Sequence, residues 1–317
     1  MTSKSKSKSK PQPKPQAQSK PATWLNRSER GLALGISSVF WFATILGRTP
    51  TRAFIRILAF YYWLFDRTAA RASREWLEAV HGRPPTRRMV YQHLLRFAQV
   101  TLDRIFLLQG KTNGLKFTRT GDHYLQDLAE NKRGAVLVGA HLGSYDAGRK
   151  GGAADHVPIN IVGYFENARL ISALFARLNP KLATNVIHIG GDPMSFMVRV
   201  RERIDAGELV AVLADRVGLG ERSVPAKFFG REARFAAGPF LIASILRCPV
   251  YLVFGLYHEP NHYALYCEPF AERLDLPRGR RDEALHDVVQ RYADRLEHYC
   301  RKAPDNWFNF YDFWRVA

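Results

Sequence analysis

The chain has 317 residues, enough for one large α/β domain with extensions or two small ones, and 46% of them are hydrophobic, ample for a core. Lysine and arginine number 47 against 29 acids, a formal charge of +18, so the surface seeks anions: nucleic acid, anionic lipid headgroups or an acidic protein. Three widely spaced cysteines, Cys248, Cys267 and Cys300, exclude a disulfide framework and a cysteine zinc site.

Met1–Lys20 is built from Lys, Ser, Pro and Gln, with six lysines and no acid. Such a stretch cannot bury a core, and a disordered polybasic tail is expected over residues 1–24. Gly31–Gly47 is then uncharged for 17 residues. As a helix it measures roughly 26 Å, marginal against a hydrocarbon core of roughly 30 Å. A second apolar run, Phe54–Phe65, holds Arg56 and the cluster Tyr61, Tyr62 and Trp63. Arginines at 52, 56, 67, 71 and 74 follow helical spacing along one face. Apolar mass, interfacial aromatics and a cationic stripe predict membrane-anchoring helices over residues 25–80, lying in the surface with the rest of the chain on one side.

Residues 81–317 read as one large α/β domain. Thr86–Gln109 has a helical stripe of Val90, Leu94, Phe97, Thr101 and Ile105. Strands are predicted at Leu115–Arg119, Ala135–Ala140, Ile159–Gly163, Val186–Ile189, Leu209–Ala214 and Val250–Tyr257, with Tyr263–Cys267 as an antiparallel edge. Helix-length segments separate most of them. The fold class is therefore α/β, an αβα sandwich around a mostly parallel sheet, with an N-terminal membrane-associated helical region. Asp282–Lys302 closes the chain's helices, burying Leu285, Val289, Tyr292, Leu296 and Tyr299.

Two strand ends carry chemistry. The strand Ala135–Ala140 delivers His141, and Asp146 follows at an interval of five as a helix begins. A carboxylate there can accept from one imidazole nitrogen and leave the other free as a base. No Gly-x-Ser-x-Gly elbow accompanies the pair, so the nucleophile is expected to be a hydroxyl of the substrate. Gly143 and Ser144, at the helix start, offer backbone N–H groups for an oxyanion. Asp215 and Arg216 end the strand Leu209–Ala214, and ligands of open α/β sheets gather at such ends. Phe228, Phe229 and Gly230 read as a loop lining an apolar channel, and Gly238 opens another helix. Six aromatics between Trp307 and Trp314 are expected to pack back on the domain with some membrane contact.

In order, VGAHLGSYD, LADRVGLGERSVPAKFFGREARFAAG and a final P-x-x-W-F resemble the late acyltransferases of lipid A assembly, the bacterial lauroyl/myristoyl transferases, within the lysophospholipid-acyltransferase-like superfamily. The resemblance covers about Gly31–Trp314. It implies an enzyme on the cytoplasmic face of the bacterial inner membrane. It implies an acyl chain moved from acyl carrier protein, or acyl-coenzyme A, to a hydroxyl of a lipid or glycolipid. It carries His141 and Asp146 over as the catalytic pair, and Asp215 with the Phe228–Gly238 segment as pocket elements. No cofactor and no metal are implied. Two motifs depart from the family's pattern. Gly163-Tyr164-Phe165-Glu166 stands where the family usually has Tyr-Arg-Pro, so the expected arginine is missing or displaced to Arg169. Asn309-Phe310-Tyr311-Asp312-Phe313-Trp314 stands where Trp-x-His-x-Arg is usual. Arg149, Lys150 and Arg169 are candidate contacts for an acidic donor protein. Two readings remain beside this one: a lipid hydrolase in which His141 activates water, and a membrane-bound polyanion binder. Against the latter, the chain without Met1–Lys20 keeps +12 of charge, spread over helices with no recognised nucleic-acid motif, so no nucleic-acid partner is expected.

Overall fold

The computed structural model describes residues 29–148, 157–163, 185–218 and 220–315. The tail at 1–24 lies outside them. Four helices come first: α1 (Glu29–Leu46), α2 (Arg48–Phe65), α3 (Arg67–His81) and α4 (Arg87–Leu108). Gly47, at φ 79°, separates α1 from α2. Asp66 caps α3 by accepting from the Ala69 N–H at 2.9 Å, and Thr86 caps α4 in the same way. The two apolar runs are thus two helices that fold against each other, with Phe42 stacked on Phe54 at 4.5 Å.

Among the described residues, the α-helices and strands that follow are β1 (Lys116–Thr120), α5 (Asp122–Glu130), β2 (Ala135–Gly139), α6 (Tyr145–Gly148), β3 (Ile159–Gly163) and β4 (Val186–His188). After them come α7 (Pro193–Asp205), β5 (Leu209–Leu213), β6 (Ser223–Phe228), β7 (Arg231–Ala236), α8 (Gly238–Leu246), β8 (Val250–His258), β9 (His262–Ala271) and α9 (Arg281–Lys302). Among the described residues, seven strands form one sheet in the order β1-β9-β8-β2-β5-β3-β4. Its pairings are parallel except β8 with β9. The expected αβα architecture is present, and β2 stands in the middle. β9 is antiparallel as expected but is not the edge, because β1 pairs along its outer side.

Alternation along β2 divides the core. Val136 and Val138 join Val210, Val212, Phe240, Tyr292 and Leu296 on one face. Ala135 and Leu137 meet Leu125 and Leu128 of α5 on the other. All five predicted inward residues of α9 are buried, and Tyr292 donates its hydroxyl to the Gly139 carbonyl at 2.9 Å. The stripe predicted on α4 holds only in part. Val90, Leu94 and Ile105 are buried, but Thr101 is exposed and Phe97 is largely so. The helix is enclosed on more than one side, which buries His93, Gln99 and Asp103 instead.

Those polar groups fasten the first helices to the sheet layer. Arg48, at the start of α2, grips both oxygens of the buried Asp103 carboxylate at 2.6 and 2.9 Å and reaches Asn261 at 2.7 Å. Arg52 donates to the Pro260 carbonyl and to the Tyr257 hydroxyl. With its polar side so engaged, α2 turns Ile57, Phe60, Tyr61, Leu64 and Phe65 outward. Among the described residues no helix is long and apolar enough to cross a membrane.

Candidate active site

β2 and β5 pair in parallel register, Gly139 opposite Leu213, so the chain places His141 and Asp215 two residues beyond the same level of two adjacent strands. The His141 ring Nδ1 lies 2.8 Å from Asp215 Oδ1. The backbone N–H of His141 donates to Oδ2 of the same carboxylate at 3.0 Å. Asp215 is fully buried, while the His141 side chain keeps 31% of its surface accessible. Burial alone would raise the Asp215 carboxyl, but the His141 and Arg216 charges and hydrogen bonds from His141 bring it down to about 2. An ionised carboxylate only accepts, so His141 carries its proton on Nδ1 and leaves Nε2 as a lone pair. Burial and the Arg216 guanidinium lower the imidazole below its ordinary range against the opposing pull of Asp215, and Arg104 adds to the lowering. The ring is therefore neutral at neutral pH, as a general base must be.

Asp146 does not hold the ring. Its carboxylate is buried beside α4 and pairs with Arg104 Nε at 2.5 Å, while Arg104 also donates to the Tyr145 hydroxyl. The interval of five places Asp146 in the first turn of α6, facing α4 rather than the strand end.

Gly143 and Ser144 do not present free N–H groups to an oxyanion. Gly143 N–H donates to the Asn306 carbonyl at 2.8 Å and Ser144 N–H to the Gly255 carbonyl at 2.7 Å. The segment runs on as an extension of the sheet, bridged by Leu142 to Trp307 and by Gly143 to Gly255, before α6 begins. Gly143 is at φ 68°, and a Cβ there would stand 2.0 Å from the Gly255 oxygen, so only glycine fits. The Ser144 hydroxyl caps α6 at the Ala147 N–H.

Arg216 lies beside the pair, donating to Asn309 Oδ1 at 2.6 Å and to the Phe308 carbonyl at 2.8 Å. Phe228, Phe229 and Gly230 are not a loop over a channel. They close a hairpin of β6 and β7, with Phe229 at φ 50° and Gly230 at φ 74° in the two turn positions. Phe229 is held there by its N–H on Glu297 at 2.7 Å and by edge contact with Trp76. Phe228 is fully buried among Trp76, Trp307, Phe235 and Phe313. Gly238 opens α8, as expected, and lies so close to Glu221 that a Cβ would meet its carboxylate at 2.6 Å. Arg149, Lys150, Arg169 and residues 164–166 lie outside the described residues. A small, mainly apolar hollow of about 80 Å³ lies elsewhere, on the Leu137 face of the sheet, with Ile159, Ala211, Val253 and Leu265 in its walls and Ser144 and Tyr145 beside it.

Two site residues were not anticipated. Trp307 Nε1 donates to Asp215 Oδ2 at 2.9 Å, and Asn309 Nδ2 donates to the same oxygen at 3.1 Å. The aromatic segment containing them packs back on the domain as expected, with Trp307, Phe308 and Phe313 buried. Nothing in its spacing marks two of its members as partners of a carboxylate.

A histidine donating from Nδ1 to a buried carboxylate at the carboxyl end of a parallel sheet is an arrangement of the kind that can activate a hydroxyl or water. Residues 29–316 match the family described as bacterial lipid A biosynthesis acyltransferase, nearly the whole chain, and the protein belongs to that family and is an acyltransferase. No curated protein sequence gave a match.

Proposed function

We propose that the protein transfers a fatty acyl chain from an acyl thioester, with acyl carrier protein as donor, to a hydroxyl of a lipid or glycolipid at a membrane surface. The observation that carries this reading is the His141–Asp215 pair, in which the ring turns Nδ1 to the carboxylate and so keeps Nε2 as the basic nitrogen. Nε2 removes the acceptor's hydroxyl proton as that oxygen attacks the thioester carbonyl. Asp215 holds the ring and stabilises the imidazolium, and the proton then passes to the departing thiolate. The Arg216 and Arg104 charges, which disfavour a proton on the ring, favour the negative charge that develops on the carbonyl oxygen. The hollow beside Ser144 and Tyr145 supports an entry for part of the acyl chain, since Leu137, Ile159, Ala211, Val253 and Leu265 line it beside Arg119 and Asp122, and it adjoins the segment that carries His141. On this reading the acyl chain lies on the face of the sheet opposite the Phe228 hairpin.

Charge supports the donor. Acyl carrier proteins are acidic, the chain carries +18, and steering between such partners weakens as salt screens it. The outward aromatic stripe of α2, continued by Trp41, Ile45 and Leu46 of α1, supports a helix pair seated in the cytoplasmic face of a bacterial inner membrane. The deciding experiment is thioester turnover by detergent-purified His141→Ala with and without a hydroxylated lipid acceptor. The variant is expected to lose transfer by at least about 10²-fold while keeping the wild-type melting profile. Turnover at the wild-type rate would remove the mechanism. Wild-type release of free fatty acid with no acylated acceptor would favour hydrolysis.

A further inference from the structure

The segment after α9 touches the catalytic pair at more places than packing requires. Among the described residues, Asp215 Oδ1 serves the His141 ring, whereas Oδ2 accepts from three N–H groups: the His141 backbone, the Trp307 indole and the Asn309 amide. Two of these donors come from residues 92 and 94 positions away in sequence. Their orientation is fixed. Arg216 can only donate, and it donates to Asn309 Oδ1, so the NH₂ end of that amide must face Asp215. Trp307 is held from behind by a second histidine. His93 is wholly buried, and desolvation lowers its imidazole to about 4 despite the Trp307 carbonyl, so it is neutral. It places Nε2 2.9 Å from the Trp307 carbonyl, an acceptor only, and Nδ1 2.8 Å from the Ser73 hydroxyl. His93 therefore donates from Nε2 and accepts from Ser73. The same segment is laced to the other member of the pair, with the Phe308 N–H on the His141 carbonyl at 2.8 Å and the Asn306 carbonyl taking the Gly143 N–H.

We infer that residues 304–309 are a positioning strap, in which Trp307 and Asn309 fix the rotation of the Asp215 carboxylate and set how strongly it draws a proton onto His141. The inference rests on His141 acting as the base. Three N–H donors on one oxygen disperse the carboxylate charge and hold the other oxygen toward the ring. Removing a donor concentrates that charge, favours the imidazolium and moves the His141 titration to higher pH. It also loosens the aim of the carboxylate while the bond to the ring remains, which lowers kcat. Trp307 and Asn309 themselves reach no reacting atom.

The test is Trp307→Phe, which keeps an aromatic ring and deletes the N–H, beside Asn309→Ser, which leaves the aromatic cluster whole. Both are assayed in full-length protein for kcat, for KM of the acyl thioester, and for the acid limb of kcat/KM. The expected result is a fall in kcat of about tenfold, KM within about twofold, and an acid limb displaced upward. Should Trp307→Phe fail to fold, Asn309→Ser carries the same readouts. A lower kcat with an unmoved limb would mark loss of shape alone and overturn the inference, as would wild-type behaviour of both. His141→Ala, run alongside, separates the two claims. An inactive His141→Ala with an unaffected Trp307→Phe overturns the strap and spares the base, whereas an active His141→Ala overturns the base itself.

Discussion

Asp146 and Asp215 are both buried carboxylates close to one strand end, and their surroundings give them different partners. Asp146 faces Arg104, a cation that does not titrate in any usable range, and the two lock α6 onto α4. Asp215 faces an imidazole whose charge can change during a reaction, and four hydrogen bonds hold it there. The partner's ability to take and release a proton separates a structural carboxylate from one that can assist catalysis. Proximity in sequence to His141 does not.

The sharpest way to break this contrast is to neutralise each carboxylate in turn. Asp215→Asn is expected to lower kcat by about 10³- to 10⁴-fold with the fold intact, since the amide removes the charge that supports the imidazolium and favours the wrong ring tautomer. Steady-state turnover of purified protein checks it, and an Asp215→Asn enzyme within tenfold of wild type would erase the distinction.

For Asp146→Asn the loss is expected in stability, about 3 kcal/mol in denaturant unfolding, because Arg104 keeps its charge in a largely buried site. Asp146→Asn with Arg104→Met should recover part of that loss, as replacing both members of a buried pair does. A double variant less stable than the single one would contradict a structural role.

The smallest effect concerns pH. His141 titrates below the ordinary imidazole range, so kcat/KM should hold as pH falls past neutrality and drop only below imidazole's usual value of 6.5, as Nε2 takes a proton. Asp146→Asn unmasks the Arg104 charge, which opposes a proton on His141, and should move that limb further down. This is opposite to the shift expected for Trp307→Phe. Limbs that move the same way in both variants would mean that the two carboxylates act on the ring alike.

Much of the fold was legible because strands buried on both faces read as short apolar runs, such as Ala135–Gly139 and Leu209–Leu213. The hairpin of β6 and β7 was missed. Phe228-Phe229-Gly230 reads as a loop, and the alternation of buried Val224, Ala226 and Phe228 is interrupted by Pro225. At the site, His141 and Asp215 were legible as polar residues at equivalent strand ends that face one crevice. Their pairing was not, since the interval to Asp146 is local whereas the bond to Asp215 spans 74 residues and depends on strand order. Trp307 and Asn309 sit among aromatics whose burial explains them equally well without any polar role, so periodicity had nothing to distinguish.

The strap also sets the order in which the site comes into being during synthesis. His141 leaves the ribosome first, Asp215 follows 74 residues later, and Trp307 another 92 residues after that. Until Asn309 has emerged, the nascent sheet can bring β2 beside β5, yet the carboxylate between them lacks two of its donors. The order of synthesis thus puts the two distant donors of Asp215 last, after both strands that carry the pair.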